Sequence, residues 1–240
     1  MPRAGRFANW PPRESSVSAA TLAREMAALA QATLTPPPFP ESAARGGGQP
    51  VIVIPGFLAP DMSTARLREF LERQNFRPYS WSGGFNIGPM PQVVRAMERQ
   101  IGEVTDVTGR KVALVGISLG GTTAREIAKL YPGSIARVIT LVSPIHLPVA
   151  TPLSPLAEAA TLLWDMEALD ALSAIAEPPP VPLTALFSRD DGIIDWQASV
   201  PEPSEMVEVV EISGSHMAVC SNPDAQRIVA DRLARTASQT

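Results

Sequence analysis

Three stretches of this chain carry no charge at any position: Val51-Ile-Val-Ile54, Val112-Ala-Leu-Val-Gly-Ile117 and Val138-Ile-Thr-Leu-Val142. A strand with one wet face alternates apolar and polar residues. A strand without alternation is covered on both faces, which is the condition inside a parallel sheet. Such a sheet needs helices above and below it, supplied by crossovers of ten or more residues. The chain provides them. Residues 63–76, 91–109, 122–131 and 223–236 have helical character: Leu67, Phe70 and Leu71 share a face in the first, and Pro91 and Gly109 punctuate the second. Strands are expected at 51–55, 77–81, 111–117, 136–143, 181–188 and 206–213. The expected fold is therefore α/β, a doubly wound, mostly parallel six-stranded sheet.

Two regions break the rhythm. Residues 1–50 form an N-terminal extension ahead of the domain expected at 51–240. It holds a helix at 16–34 with Leu22, Met26 and Leu29 on one stripe and Ser15 or Ser16 as its cap, then TPPPFP and the hinge RGGGQP. This segment is expected to lie over the body of the domain or to mediate self-association into a homo-oligomer. Residues 147–180 are too long for an ordinary connection. With Leu162, Leu163, Trp164, Met166 and Leu169 between prolines, they read as a short helical cap.

Bulk properties exclude several classes. Apolar residues make up 45 % of the chain, enough for a sizeable core. A net charge of −4 with scattered Lys and Arg leaves no basic stripe for a nucleic acid. The lone Cys220 excludes an internal disulfide. The basic N-terminus leads into no apolar h-region, and no apolar run is long enough for a membrane span, so a cytoplasmic location is expected.

One turn carries chemistry. Gly116-Ile-Ser-Leu-Gly120 follows a strand and precedes a helix, so Ser118 stands where a tight strand-to-helix turn holds a hydroxyl clear of the sheet. Gly116 and Gly120 leave room for the crossing backbones. Serine needs a base, and the chain has only His146 and His216. His216, in the loop after the last strand, is preferred. The order Ser…Asp…His calls for an acid after the penultimate strand, where Asp190, Asp191 and Asp195 stand. Asp191, followed by Gly192 and two isoleucines, ranks first, Asp190 second and Asp195 third. His146 is assigned to the pocket lining. An oxyanion site needs two preorganised amides. Leu119, after the serine, and Phe57, in the Pro55-Gly56 loop, are the candidates.

With these residues in place, the chain from about Val51 to Arg235 resembles the α/β-hydrolase superfamily, in particular its bacterial lipase- and esterase-like members. The resemblance rests on PGF at 55–57, GISLGG at 116–121, DDG at 190–192 and GSH at 214–216, with WSGGFNIGP at 81–89 and ITLVSP at 139–144. It departs where many lipases carry His-Gly: this chain has Pro55-Gly56, which keeps the backbone donor and leaves open what braces the loop. The resemblance implies a serine hydrolase acting on carboxylic esters. Ser118 attacks the carbonyl, His216 relays the proton, Asp191 orients His216, and the Phe57 and Leu119 amides hold the oxyanion. Leu58, His146, Trp164 and Met166 would line an apolar pocket for a small or lipid-like ester. No cofactor is implied, and two histidines without ligand spacing give no metal site. Acyl transfer, thioester cleavage and a non-catalytic binding module remain as alternatives.

Overall fold

The computed structural model describes residues 17–41, 43–145, 151 and 175–237. Six strands, β1 (Pro50–Ile54), β2 (Arg77–Tyr79), β3 (Val112–Ile117), β4 (Ile135–Leu141), β5 (Leu183–Ser188) and β6 (Val207–Ile212), form one sheet in the order β2-β1-β3-β4-β5-β6. Every strand pairing is parallel. Among the described residues the α-helices are α1 (Ala19–Leu34), α2 (Ala65–Arg73), α3 (Pro91–Thr108), α4 (Leu119–Leu130) and α5 (Pro223–Ala237). The expected doubly wound six-stranded sheet is the observed one, with all strands parallel.

The two faces explain the uncharged strands. Val51, Val53, Ala113 and Val115 pack with Leu67, Phe70 and Leu71 of α2 and Val229 and Leu233 of α5. Ile52, Ile54, Val112 and Leu114 point the other way, against Val93, Met97 and Ile101 of α3 and Ala124 and Ile127 of α4. Successive side chains go to opposite layers, so neither parity can be polar. From β1 the chain goes to one side of the sheet for β2 and to the other for β3. This reversal opens a crevice outside the carboxyl ends of β1 and β3, the usual place for a ligand in an open α/β sheet.

Three expectations are corrected. Helix α4 begins at Leu119 rather than Thr122, so Gly120 and Gly121 belong to its first turn. It is buried at every position from Gly120 to Ala128, including Arg125. The Arg125 guanidinium, pushed down to about 10 by burial, donates to the carbonyls of Ile175, Ala176 and Glu177 and so holds the segment ahead of β5. Helix α1 is capped by Ser18 in a capping box with Thr21, not by Ser15 or Ser16. The expected stripe holds only in part: Leu22 and Leu29 are half-buried but Met26 is 52 % exposed, while Glu25, one position away, is the buried residue of the helix. Of the expected cap, residues 147–150 and 152–174 lie outside the described residues, and with them His146, Leu162, Leu163, Trp164, Met166 and Leu169.

The glycines of the turn after β3 are the tightest points of the fold. A Cβ on Gly116 would fall on the Gly120 carbonyl, and one on Gly120 would fall on the carbonyl oxygens of Ile54 and Pro55. These are backbone atoms that cannot swing aside. Gly116→Ala and Gly120→Ala are each expected to cost at least about 1–3 kcal/mol, read as a lower urea midpoint. Gly102, exposed inside α3 with open space where a Cβ would stand, predicts the opposite sign. Gly102→Ala should gain about 0.5–1 kcal/mol.

Candidate active site

Ser118 joins β3 to α4 with φ 52° and ψ −125°, a conformation non-glycine residues rarely adopt and that costs on the order of 1–3 kcal/mol. Its surroundings impose it. The Ser118 amide is tied to the Leu141 carbonyl at 2.9 Å, and its own carbonyl accepts from Gly121 at 2.9 Å. A Cβ on Gly121 would in turn fall on the Ser143 side chain, so a third glycine of the turn has no room for a side chain. The Gly56 backbone lies against Ser118 so closely that a Cβ there would sit 3.3 Å from the serine Cβ.

The other members come from neighbouring carboxyl ends of the sheet. Asp191 follows β5 and His216 follows β6, and both are buried. Asp191 Oδ2 lies 2.7 Å from His216 Nδ1, while Asp191 Oδ1 accepts the amides of Ile193 and Ile194 at 2.8 Å each. The carboxylate is thus fixed by its own turn before it meets the imidazole. With an acidic partner at Nδ1, that nitrogen carries the proton and Nε2 is left as the acceptor. Burial works against a charged imidazole, but Asp191, by charge and hydrogen bond, and Glu25, by charge, outweigh it and hold His216 above the ordinary imidazole value.

The aspartates separate by role. Asp190 is exposed and takes the Gly214 amide at 2.9 Å, steadying the His216 loop from outside. Gly214 needs its conformational freedom, with φ 112°. Asp195 caps the short 3-10 helix Trp196–Ser199 through the Gln197 amide. Asp191 alone of the three reaches His216 among the described contacts.

Phe57 is half-buried on the loop after β1, and Leu58 beside it is 44 % exposed with φ 52°. Leu119 opens α4, where a helical amide has no intrahelical acceptor. Neither the Phe57 nor the Leu119 amide donates to an acceptor among the described residues. The brace of the Pro55-Gly56 loop, left open by the sequence, is Asn86. Fully buried, it donates from Nδ2 to the Pro55 carbonyl at 2.8 Å, accepts the Gly88 amide at Oδ1, and accepts the Leu58 amide at its own carbonyl. Its signal in the sequence is an asparagine inside the uncharged GGFNIGP, visible there only as part of a resemblance.

A second residue was missed. The Glu25 carboxylate of α1 accepts amides from both loops of the pair: Gly192 at 2.8 Å and His216 at 3.0 Å on Oε1, Met217 at 2.8 Å on Oε2. Burial opposes its charge, but the Met217, Gly192 and His216 amides with the Ser215 hydroxyl prevail and hold it below the usual carboxylate range. Its signal is a lone acid beside the apolar stripe of a helix otherwise read by its leucines. Among the described residues no cluster of His, Cys, Asp and Glu could hold a metal ion, and no helix is long and apolar enough to cross a membrane.

Residues 86–231 match the uncharacterised protein family UPF0227. No curated protein matches the chain. Among solved structures, the chain is similar to a monoacylglycerol lipase of Paleococcus ferrophilus, with 18 % identity and a TM-score of 0.60 over 81 % of this chain and 96 % of that one. It is similar to lipase B of Aspergillus fumigatus, at 19 % identity and a TM-score of 0.61, covering 82 % of this chain and 55 % of that one. It is also similar to naproxen esterase of Bacillus subtilis, at 14 % identity and a TM-score of 0.50 over 80 % of this chain and 85 % of that one. At such identities the likeness speaks for the fold. The parallel six-stranded sheet, the serine turn after β3 and these matches together make the chain a member of the family UPF0227 with the α/β-hydrolase fold.

Proposed function

We propose that this protein is a serine hydrolase that cleaves carboxylic esters through Ser118, His216 and Asp191. The observation that carries the reading is the buried 2.7 Å contact between Asp191 and His216 at the same sheet edge as a strained serine. A binding module has no need to hold an imidazole by one nitrogen, or to keep a serine in a costly backbone conformation. In this reading Ser118 Oγ attacks the ester carbonyl as His216 Nε2 takes its proton. The Asp191 carboxylate stabilises the resulting imidazolium without being protonated itself. The Phe57 and Leu119 amides receive the developing oxyanion. The imidazolium returns the proton to the departing alcohol, and water activated by the same nitrogen releases the acid. Leu58, exposed beside the oxyanion loop, favours an apolar acyl group. The lipase and esterase names of structural neighbours agree with an ester substrate.

A fluorophosphonate probe should label the native protein and not Ser118→Ala, and Ser118→Ala should lose about 10⁴- to 10⁶-fold in kcat toward p-nitrophenyl esters. Native protein that resists the probe would sink the proposal. The base must be neutral in the free enzyme. His216 is held above the ordinary imidazole value, so log kcat/KM should rise with pH to a midpoint above that value. A profile flat from about pH 5 to 8 would remove His216 as base. Asn86→Leu strips the partners from the Pro55 carbonyl and the Gly88 amide. It should cost about 1–3 kcal/mol of stability by urea denaturation and lower kcat more than it raises KM, because the oxyanion is bound only beyond the ground state.

A further inference from the structure

Helix α1 docks in an unusual way. Its buried residue is a carboxylate, Glu25, and no basic side chain contributes to holding that charge. A helix that needed only adhesion could use an apolar side chain at lower cost, since burying a charge is unfavourable unless it is fully hydrogen-bonded. Glu25 is so bonded, and its partners are specific. They are the amide following Asp191, the amide of His216 itself and the amide following His216. One carboxylate therefore ties the acid loop to the base loop, using charge-assisted bonds, which are roughly twice as strong as neutral ones.

The fit around it is close. Thr21 Oγ1, one turn earlier, lies 2.8 Å from the Gly192 carbonyl. A Cβ on Gly192 would meet Glu25 Cγ at 2.9 Å and the Thr21 Cβ and carbonyl at 3.0 Å. Leu22 packs against the cluster of Ile193, Ile194 and Ala198 just beyond. The glycine after Asp191 is thus required by the approach of α1.

We propose that Glu25 is a positioning residue for the hydrolytic site, and that the N-terminal helix completes that site by clamping the Asp191 and His216 loops in register. The inference rests on the ester-hydrolase reading given above. The charged groups acting on His216 are Asp191, from the loop after β5, and Glu25, from α1. Withdrawing Glu25 removes one of two negative charges that favour the imidazolium, so the imidazole should lose its proton at lower pH.

The test compares native protein with Glu25→Gln and Leu22→Ala, using kcat per fluorophosphonate-titrated site, KM, the pH midpoint of kcat/KM, and the His216 imidazole titration by NMR, assigned with His216→Asn. Glu25→Gln places an amide nitrogen or a weaker acceptor opposite three donors. It should lower kcat per titrated site about 10- to 100-fold, as expected for a slight misplacement of reacting groups. KM should stay near native and both midpoints should move to lower pH. Leu22→Ala keeps the carboxylate but loosens the helix, so it should move the same quantities in the same direction by less. It also covers the case in which Glu25→Gln does not fold. Native kcat per titrated site and a native pH midpoint in both variants, whatever their stability, would overturn the proposal and leave α1 a structural helix. If the native protein takes no probe, the hydrolase reading fails by itself. The NMR titration still decides the clamp: an unchanged His216 midpoint in the variants overturns it.

Discussion

The fold turns on a crossing of backbones. The start of α4 runs so close to the end of β1 that Gly120 touches the Ile54 and Pro55 carbonyls, and Gly116 of β3 touches Gly120. This distance forces the connection between β3 and α4 to a single residue, and that residue takes φ 52°. Everything at the sheet edge is referred to that point. The Pro55-Gly56 loop leaves β1 there, Ser118 stands on it, and the Asp191 and His216 loops follow β5 and β6 along the same carboxyl edge. The strain at Ser118, of order 1–3 kcal/mol, is tolerated because the sheet beneath is buried on both faces.

Charge burial gives the site its remaining order. Asp191 and Glu25 are both buried carboxylates, and both are held chiefly by backbone amides rather than by arginine or lysine. Amides at fixed backbone positions locate a carboxylate more closely than a flexible cation can, and they leave its negative charge available to an imidazole. Two such charges near His216 raise its affinity for a proton despite burial. The same logic in neutral form appears at Asn86, whose amide group ties the Pro55-Gly56 loop to the 81–90 segment.

Much of this was legible in the residues. The uncharged strands predicted the parallel sheet because each parity faces an apolar layer. Gly116 and Gly120 flanking a serine predicted the tight turn because only a missing Cβ permits the crossing. Asp191 was preferred among three aspartates, and it is the one paired with His216. The stripe of Leu22, Met26 and Leu29 misled at Met26, because amphipathic periodicity assigns the buried side by hydrophobicity. At α1 the surface being covered is a row of amide donors, which selects the carboxylate beside the stripe. Arg125 carried no signal in the sequence for a related reason: its partners are the carbonyls of Ile175, Ala176 and Glu177 ahead of β5, invisible to any local pattern.

The sequence by itself determined the sheet, its helical layers, the serine turn and the order in which acid and base follow it, since these depend on periodicity, missing side chains and chain order. Tertiary structure alone decided that Asn86 braces the Pro55-Gly56 loop, and that Glu25 bridges two loops whose amides lie 167 and 191 residues away. The physical reason is one and the same. Each of those choices is made by hydrogen-bonding backbone groups distant in sequence, amides for Glu25 and the Pro55 carbonyl and Leu58 amide for Asn86, and the position of such a group in space is a property of the packed chain rather than of the residues beside it.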